Sequence, residues 1–144
     1  MRIELELPYP PSVNRYYGHG QRRSWITRDG QAYRDEVNRI VRVAHADTDP
    51  KYPITDCDVV VSIAVLAKDR RKRDLDNLLK CLCDSLEGLV YEDDAQICAL
   101  QIHREMEGET PAIDPAGLGR ISVVIVDRKT FLKEPRGRQN ADQG

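Results

Sequence analysis

The sequence predicts an α+β domain of two layers, in the order β-α-β-α-β-β, with two helices packed on one face of a mixed sheet. Three observations lead there. Stretches near both ends and in the middle alternate apolar and polar residues with the period of a strand. Two segments between them repeat apolar residues at helical spacing. The chain has 144 residues, and one domain of that size buries roughly 68–70% of its unfolded surface.

Each element has its own signal. Ile3, Leu5 and Leu7 alternate with Arg2, Glu4 and Glu6, the pattern of a half-buried strand, and Pro8-Tyr9-Pro10-Pro11 stops it. A long polar loop is expected from Ser12 to about Arg28, carrying Tyr16, Tyr17 and Trp25. Tyr33, Val37, Ile40, Val41 and Ala44 then mark one face of an amphipathic helix over 30–46. Residues 47–56 hold two prolines and read as a connector. Val59, Val61, Ile63, Val65 and Ala67 give the strongest strand. Leu75, Leu78, Leu79, Leu82 and Leu86 predict a second helix starting at Asp74, with Gly88 placed to end it. Cys98, Leu100 and Ile102 suggest a strand, 107–119 a hairpin loop, and Ile121 to Val126 the last strand. The expected domain is 1–127, and 128–144 reads as a polar, disordered tail.

Composition narrows the function classes. No apolar run approaches the ~20 residues of a membrane span, and the N-terminus lacks a signal peptide's continuous apolar stretch, so a cytoplasmic protein is expected. The net charge of −2 is not that of a typical duplex binder, yet the charge is unevenly spread. Between Arg15 and Arg34 five arginines face one carboxylate, Asp29. Cys57, Cys81, Cys83 and Cys98 form no Cys-x-x-Cys pair, and three scattered histidines complete no zinc site. Reduced cysteines in the core are expected.

The stretch Asp69 to Lys80 carries the chemistry. Arg70, Arg71, Lys72 and Arg73 stand directly before Asp74 and Asp76, with Lys80 one turn further on and Glu92-Asp93-Asp94 about one helix-length downstream. Cations suit a phosphate backbone and clustered carboxylates suit Mg²⁺ or Mn²⁺. Asp76, Lys80 and Asp84 share the exposed face of the second helix, while Asp74 either caps free N–H groups or turns outward to a metal. An Asp76–Lys80 ion pair is the plain structural reading. A chain reversal after Gly88 is expected to bring Asp93-Asp94 back beside the start of that helix. Carboxylates gathered there would repel by ~3 kcal/mol per pair at about 5 Å and an effective dielectric near 20, a cost a dication removes. Such an ion activates water and offsets charge on a leaving oxygen. Lys80 would orient that water or neutralise the phosphoryl group.

Arg70 to Arg73 are expected to line a nucleic-acid channel. Arg22, Arg23 and Arg28, with Tyr16, Tyr17 and Trp25, suggest a loop that offers stacking faces to nucleic-acid bases. The competing reading, that the aromatics pin a long loop to the fold, stands level with it. Asn14 either positions a ligand or organises the loop through an Asx-turn.

These residues resemble those of the RusA family of Holliday junction resolvases over roughly 3–127. The likeness begins at Pro10-Pro11-Ser12-Val13-Asn14-Arg15-Tyr16-Tyr17, continues at Gly30-Gln31-Ala32-Tyr33-Arg34, and is most specific at Arg73-Asp74-Leu75-Asp76-Asn77-Leu78-Leu79-Lys80, followed by Asp93-Asp94-Ala95-Gln96. The resemblance implies that Asp74, Asp76 and Asp94 are metal-binding catalytic carboxylates and that Lys80 is the catalytic lysine. It also implies a homodimer, since two symmetric nicks need two active sites about a two-fold axis. Glu92 stands where family members vary, which leaves the third ligand open. The expected function is Mg²⁺-dependent cleavage of four-way DNA junctions in recombination and repair. A branched-DNA binding protein without catalysis, or a nuclease selective for flaps or forks, are the alternatives.

Overall fold

The computed structural model describes residues 1–47 and 51–134. In chain order the elements are β1 (Arg2–Pro8), α1 (Val13–Tyr16), β2 (Tyr17–His19), β3 (Ser24–Ile26), α2 (Arg28–Ala44), β4 (Val59–Leu66), α3 (Asp76–Leu86), a 3-10 turn (Asp94–Gln96), β5 (Ile97–Arg104), β6 (Met106–Glu107), β7 (Thr110–Pro111), β8 (Arg120–Asp127) and α4 (Arg128–Lys133). The expected α+β class and mixed sheet are present. No helix among the described residues is long and apolar enough to cross a membrane.

The main sheet runs β1-β8-β4-β5. β8 is antiparallel to both β1 and β4, whereas β4 and β5 are parallel. Alternation in β1 and β8 sends Ile3, Leu5, Leu7, Ile121, Val123 and Ile125 inward, and central β4 is buried on nearly every residue. Tyr33, Val37 and Val41 of α2 and Leu78, Cys81, Leu82 and Leu86 of α3 close the core. The apolar stripes read from the sequence are therefore the buried faces.

Four expectations change. The polar loop from Ser12 contains a helical turn, α1, and the hairpin β2–β3. Three-residue strands are too short for periodicity to reveal. The stretch 107–119 is not a hairpin between neighbouring strands: β5 lies at one edge while β8 inserts between β1 and β4, and 107–119 carries its own small ribbon, β6–β7. Residues 128–133 form α4, capped by the Asp127 side chain, which accepts from the Thr130 N–H at 2.9 Å; residues 135–144 of the proposed tail lie outside the described residues. Cys57 and Cys98 are exposed, and only Cys81 and Cys83 are buried.

Two glycines and one cap set where α2 and α3 begin and end. A Cβ on Gly30 would collide with the Tyr16 carbonyl oxygen, so only glycine lets α2 begin against α1. Thr27 caps α2 by accepting from the Gly30 N–H at 3.1 Å. At the far end of α3, Gly88 takes φ of +80° and its N–H donates to the Tyr91 carbonyl at 2.7 Å, turning the chain back.

Candidate functional site

The exposed face of α3 is a strip of charge. Asp76, Lys80 and Asp84 follow at intervals of four, so they lie in one row, with Glu87 just past the helix end. Asp74 and Asp76 are both exposed. Asp74 does not cap α3, whose N-cap is Leu75 with no side-chain hydrogen bond. Lys80 pairs with Asp84 at 3.6 Å, the next acid along the row, in place of the Asp76 partner expected from the sequence.

Asp94 is set by a capping box. The Asp93 carboxylate accepts from the Ala95 N–H at 2.8 Å, and the Gln96 side chain accepts from the N–H groups of Glu92 and Asp93 at 2.7 and 3.0 Å. Gln96 also donates to the Cys57 carbonyl at 2.8 Å, anchoring the turn to the chain before β4. Asp93 is thus committed to its own turn, and Asp94 is the acid that faces α3.

It meets the C-terminal half of that helix. Carboxylate oxygens of Asp84, Glu87 and Asp94 all lie within 4.8 Å of one another. The reversal after Gly88 brings Asp94 to the end of α3, not to the helix start that the sequence led one to expect. Eight residues separate Asp76 from Asp84, about 12 Å along a helix axis. Within one chain, Asp94 is gathered with Asp84 and Glu87, and Asp74 and Asp76 do not belong to that group.

The electrostatics record the crowding. Asp94 has its pKa raised, first by its hydrogen bond with Asp93, then by burial and the charges of Asp93 and Asp84, with Lys80 opposing. Glu87 is raised as well, by burial and then by Asp94, Asp93 and Asp84. Three carboxylate side chains within 4.8 Å of one another form an all-oxygen donor set that fits a hard divalent cation.

Tyr17 ties this group to the β2–β3 hairpin. Its hydroxyl donates to Asp84, and its ring lies 5.2 Å from the Lys80 ammonium and 4.5 Å from the Tyr16 ring. Burial, and then the bond to Asp84, push the Tyr17 phenol far above its ordinary pKa. Tyr16 is fully buried and shares a 3.0 Å hydrogen bond with Ser85 of α3. One tyrosine therefore pins the segment, and the other faces the acids. Trp25 is 47% exposed and lies against its own hairpin: a Cβ on Gly18 would run into its ring, and Arg23 sits 5.9 Å from the ring centre. Arg22, Arg23 and Asn14 are exposed.

The cationic residues line a separate cleft of about 1000 Å³ at the other end of α3. Arg70, Arg71 and Lys72 are exposed on it. Arg73 lines it too but is half-buried, its guanidinium making a two-bonded pair with Asp69 at 2.6 and 3.0 Å. That pairing holds the Asp69 carboxyl well below the usual carboxylate range. The cleft is also lined by Arg104, Glu107 and Thr110.

Sequence reasoning misses Glu87 and Arg104 and finds Asp84 only as part of the helix face. The spacing 76-80-84-87 is the available signal for the two acids. Arg104 has none, because it reaches the cleft only through the pairing of β5 with β4.

A small α+β domain with an acidic helix face and a basic cleft at that helix's start defines the class: a compact, metal-compatible module with a phosphate-compatible groove. The chain belongs to the RusA endodeoxyribonuclease family, whose model, described as Endodeoxyribonuclease RusA, matches residues 8–114. That span includes every candidate residue named above. Among curated proteins it is similar to the crossover junction endodeoxyribonuclease RusA of Shigella sonnei, 44% identical over 65% of this chain and 74% of that protein. The proteins of the same name from Escherichia coli K12 and Enterobacteria phage 82 are each 43% identical over the same shares.

Proposed function

We propose that this chain is an endodeoxyribonuclease that resolves four-way DNA junctions by metal-dependent phosphodiester hydrolysis, acting as a homodimer in the cytoplasm during recombination and repair. The observation that carries the reading is the order of groups along one helix: a cationic loop, Arg70 to Arg73, then Asp74, Asp76, Lys80 and the acids met by Asp94. Family membership supports the same reading, and the curated relatives bear the name crossover junction endodeoxyribonuclease.

Asp74, Asp76 and Asp94 are the proposed metal-binding carboxylates, Asp74 and Asp76 at the start of α3 and Asp94 in the separate group at its end, with Mg²⁺ as the cofactor and Mn²⁺ as a substitute. Asp84 and Glu87 stand beside Asp94 and would complete its donor set. When bound, the ion supplies an activated water and charge neutralisation at the phosphate. Arg70, Arg71 and Lys72 bind the backbone. Lys80, held between Tyr17 and Asp84, presents its ammonium where a phosphoryl oxygen or an attacking water needs a proton held or charge offset. Arg22, Arg23, Trp25 and Tyr17 present a stacking and phosphate-binding hairpin to the branch point, with Asn14 beside it. Two such sites about a two-fold axis would nick opposing strands.

A synthetic four-way junction incubated with Mg²⁺, with EDTA as control, tests this. Paired symmetric nicks that EDTA abolishes are expected. Cutting confined to flaps or forks would replace the specificity, and binding without cutting under any divalent ion would leave only a branched-DNA binding protein.

A further inference from the structure

We infer that Arg104, acting with Asp69, is a positioning residue that fixes the loop carrying the cations and Asp74; this rests on the junction-cutting reading above. Six consecutive residues, Asp69 to Asp74, include four cations that repel one another, so the loop has no intrinsic reason to hold one shape. Two groups supply the reason. Asp69, just beyond β4, accepts from the Arg71 N–H at 2.9 Å while binding the Arg73 guanidinium through two bonds. Arg104, the last residue of β5, donates from its guanidinium to the Arg73 carbonyl at 2.5 Å.

The second contact matters for geometry. The Arg73 carbonyl and the Asp74 N–H belong to one planar peptide unit, so gripping the oxygen sets the direction in which Asp74 leaves the loop. The grip comes from a rigid place. Val65 and Arg104 are register partners in the parallel pair β4–β5, and the Glu105 N–H donates to the Val65 carbonyl at 2.9 Å. Arg104 is half-buried, and it lines the same cleft as the loop. The result is a division of labour within the run. Arg73 is spent on structure, and Arg70, Arg71 and Lys72 remain turned to the cleft.

A phosphate contact and a positioning role separate experimentally. Wild type, Arg104→Ala, Arg104→Lys and Asp69→Asn are compared by single-turnover cutting at saturating protein, by junction affinity in EDTA, and by amide hydrogen exchange of the free proteins. Arg104→Ala is expected to speed exchange at residues 73–76 and to lower the cutting rate by about tenfold or more, the scale of a misplaced catalytic group, with affinity within about threefold. Arg104→Lys, which still donates to a carbonyl, should recover most of the rate, and Asp69→Asn should loosen the same amides. Unchanged exchange at 73–76 overturns the inference, as does a loss of affinity that accounts for the whole loss of cutting. If the wild type cuts no junction, the proposed activity falls, while the exchange data still judge the clamp.

Discussion

The Tyr17 hydroxyl donates to the Asp84 carboxylate, joining the first residue of the β2–β3 hairpin to the acid-bearing face of α3. The two residues are 67 positions apart, and the contact makes the exposed hairpin and the carboxylate group a single mechanical unit. Tyr17→Phe removes the donor and leaves the ring on Tyr16. The expected cost is about 1 kcal/mol in urea unfolding, as for one hydrogen bond to a partly solvated charge. Trp25 is the only tryptophan, so its fluorescence reports the hairpin alone. A variant with unaltered stability and emission would show the contact to be idle.

Crowding at Asp94 has a sign that pH can read. Asp94 and Glu87 titrate above their ordinary values, so between the ordinary and raised values the native state holds protons that the unfolded chain has released. Their contribution to stability therefore falls as pH rises through that window. Without divalent ions, Asp94→Asn should melt above wild type at neutral pH, and the gap should close as pH is lowered through the window. Asp69 and Asp127 are shifted the other way, Asp69 by Arg73 and Asp127 by the Met1 amino group, and lose stabilisation on acidification in both proteins alike. Mg²⁺ should raise the melting temperature of wild type more than that of the variant. Equal responses to Mg²⁺ would remove Asp94 from the donor set.

The cleft cations should show themselves in salt dependence. Arg70, Arg71 and Lys72 changed together to alanine should reduce the slope of log affinity against log salt by about 2–3, one released counterion per lost phosphate contact. Arg73→Ala should instead loosen the loop that Asp69 organises. A triple variant with the wild-type slope would take the cleft out of DNA binding.

Packing beneath the site sets its rigidity. Leu82 is fully buried on the inner face of α3, and Leu82→Ala should cost about 2–5 kcal/mol. Val43→Ala, at a side chain 66% exposed on α2, should stay within about 0.5 kcal/mol. Comparable losses from the two, in denaturant titrations, would contradict the assignment of the inner face.

What the sequence displays depends on how local its cause is. The stripes Tyr33-Val37-Val41 and Leu78-Leu82-Leu86, the alternation of Ile3-Leu5-Leu7 and the stop at Gly88 are all set by neighbours in the chain, and all are legible. The insertion of β8 between β1 and β4 is not, since it is decided by long-range pairing. Likewise the run Arg70–Arg73 announces positive charge, but only the fold tells Arg73, paired with Asp69, from its exposed neighbours. The Asp93–Gln96 capping box is written locally, yet the two adjacent acids within it suggest metal binding more strongly than a helical turn. That box is what directs Asp94 toward Asp84 and Glu87 instead of toward the start of α3.

The most direct measurement compares Asp94→Asn and Asp76→Asn with wild type on one synthetic four-way junction, recording the single-turnover cutting rate and the fraction of junction bound under the same conditions. Carboxylates that serve chemistry and not affinity should give variants that bind the junction as tightly as wild type, or more tightly, yet leave it uncut. Cutting that survives in proportion to occupancy in both variants would contradict the catalytic role of the acidic strip.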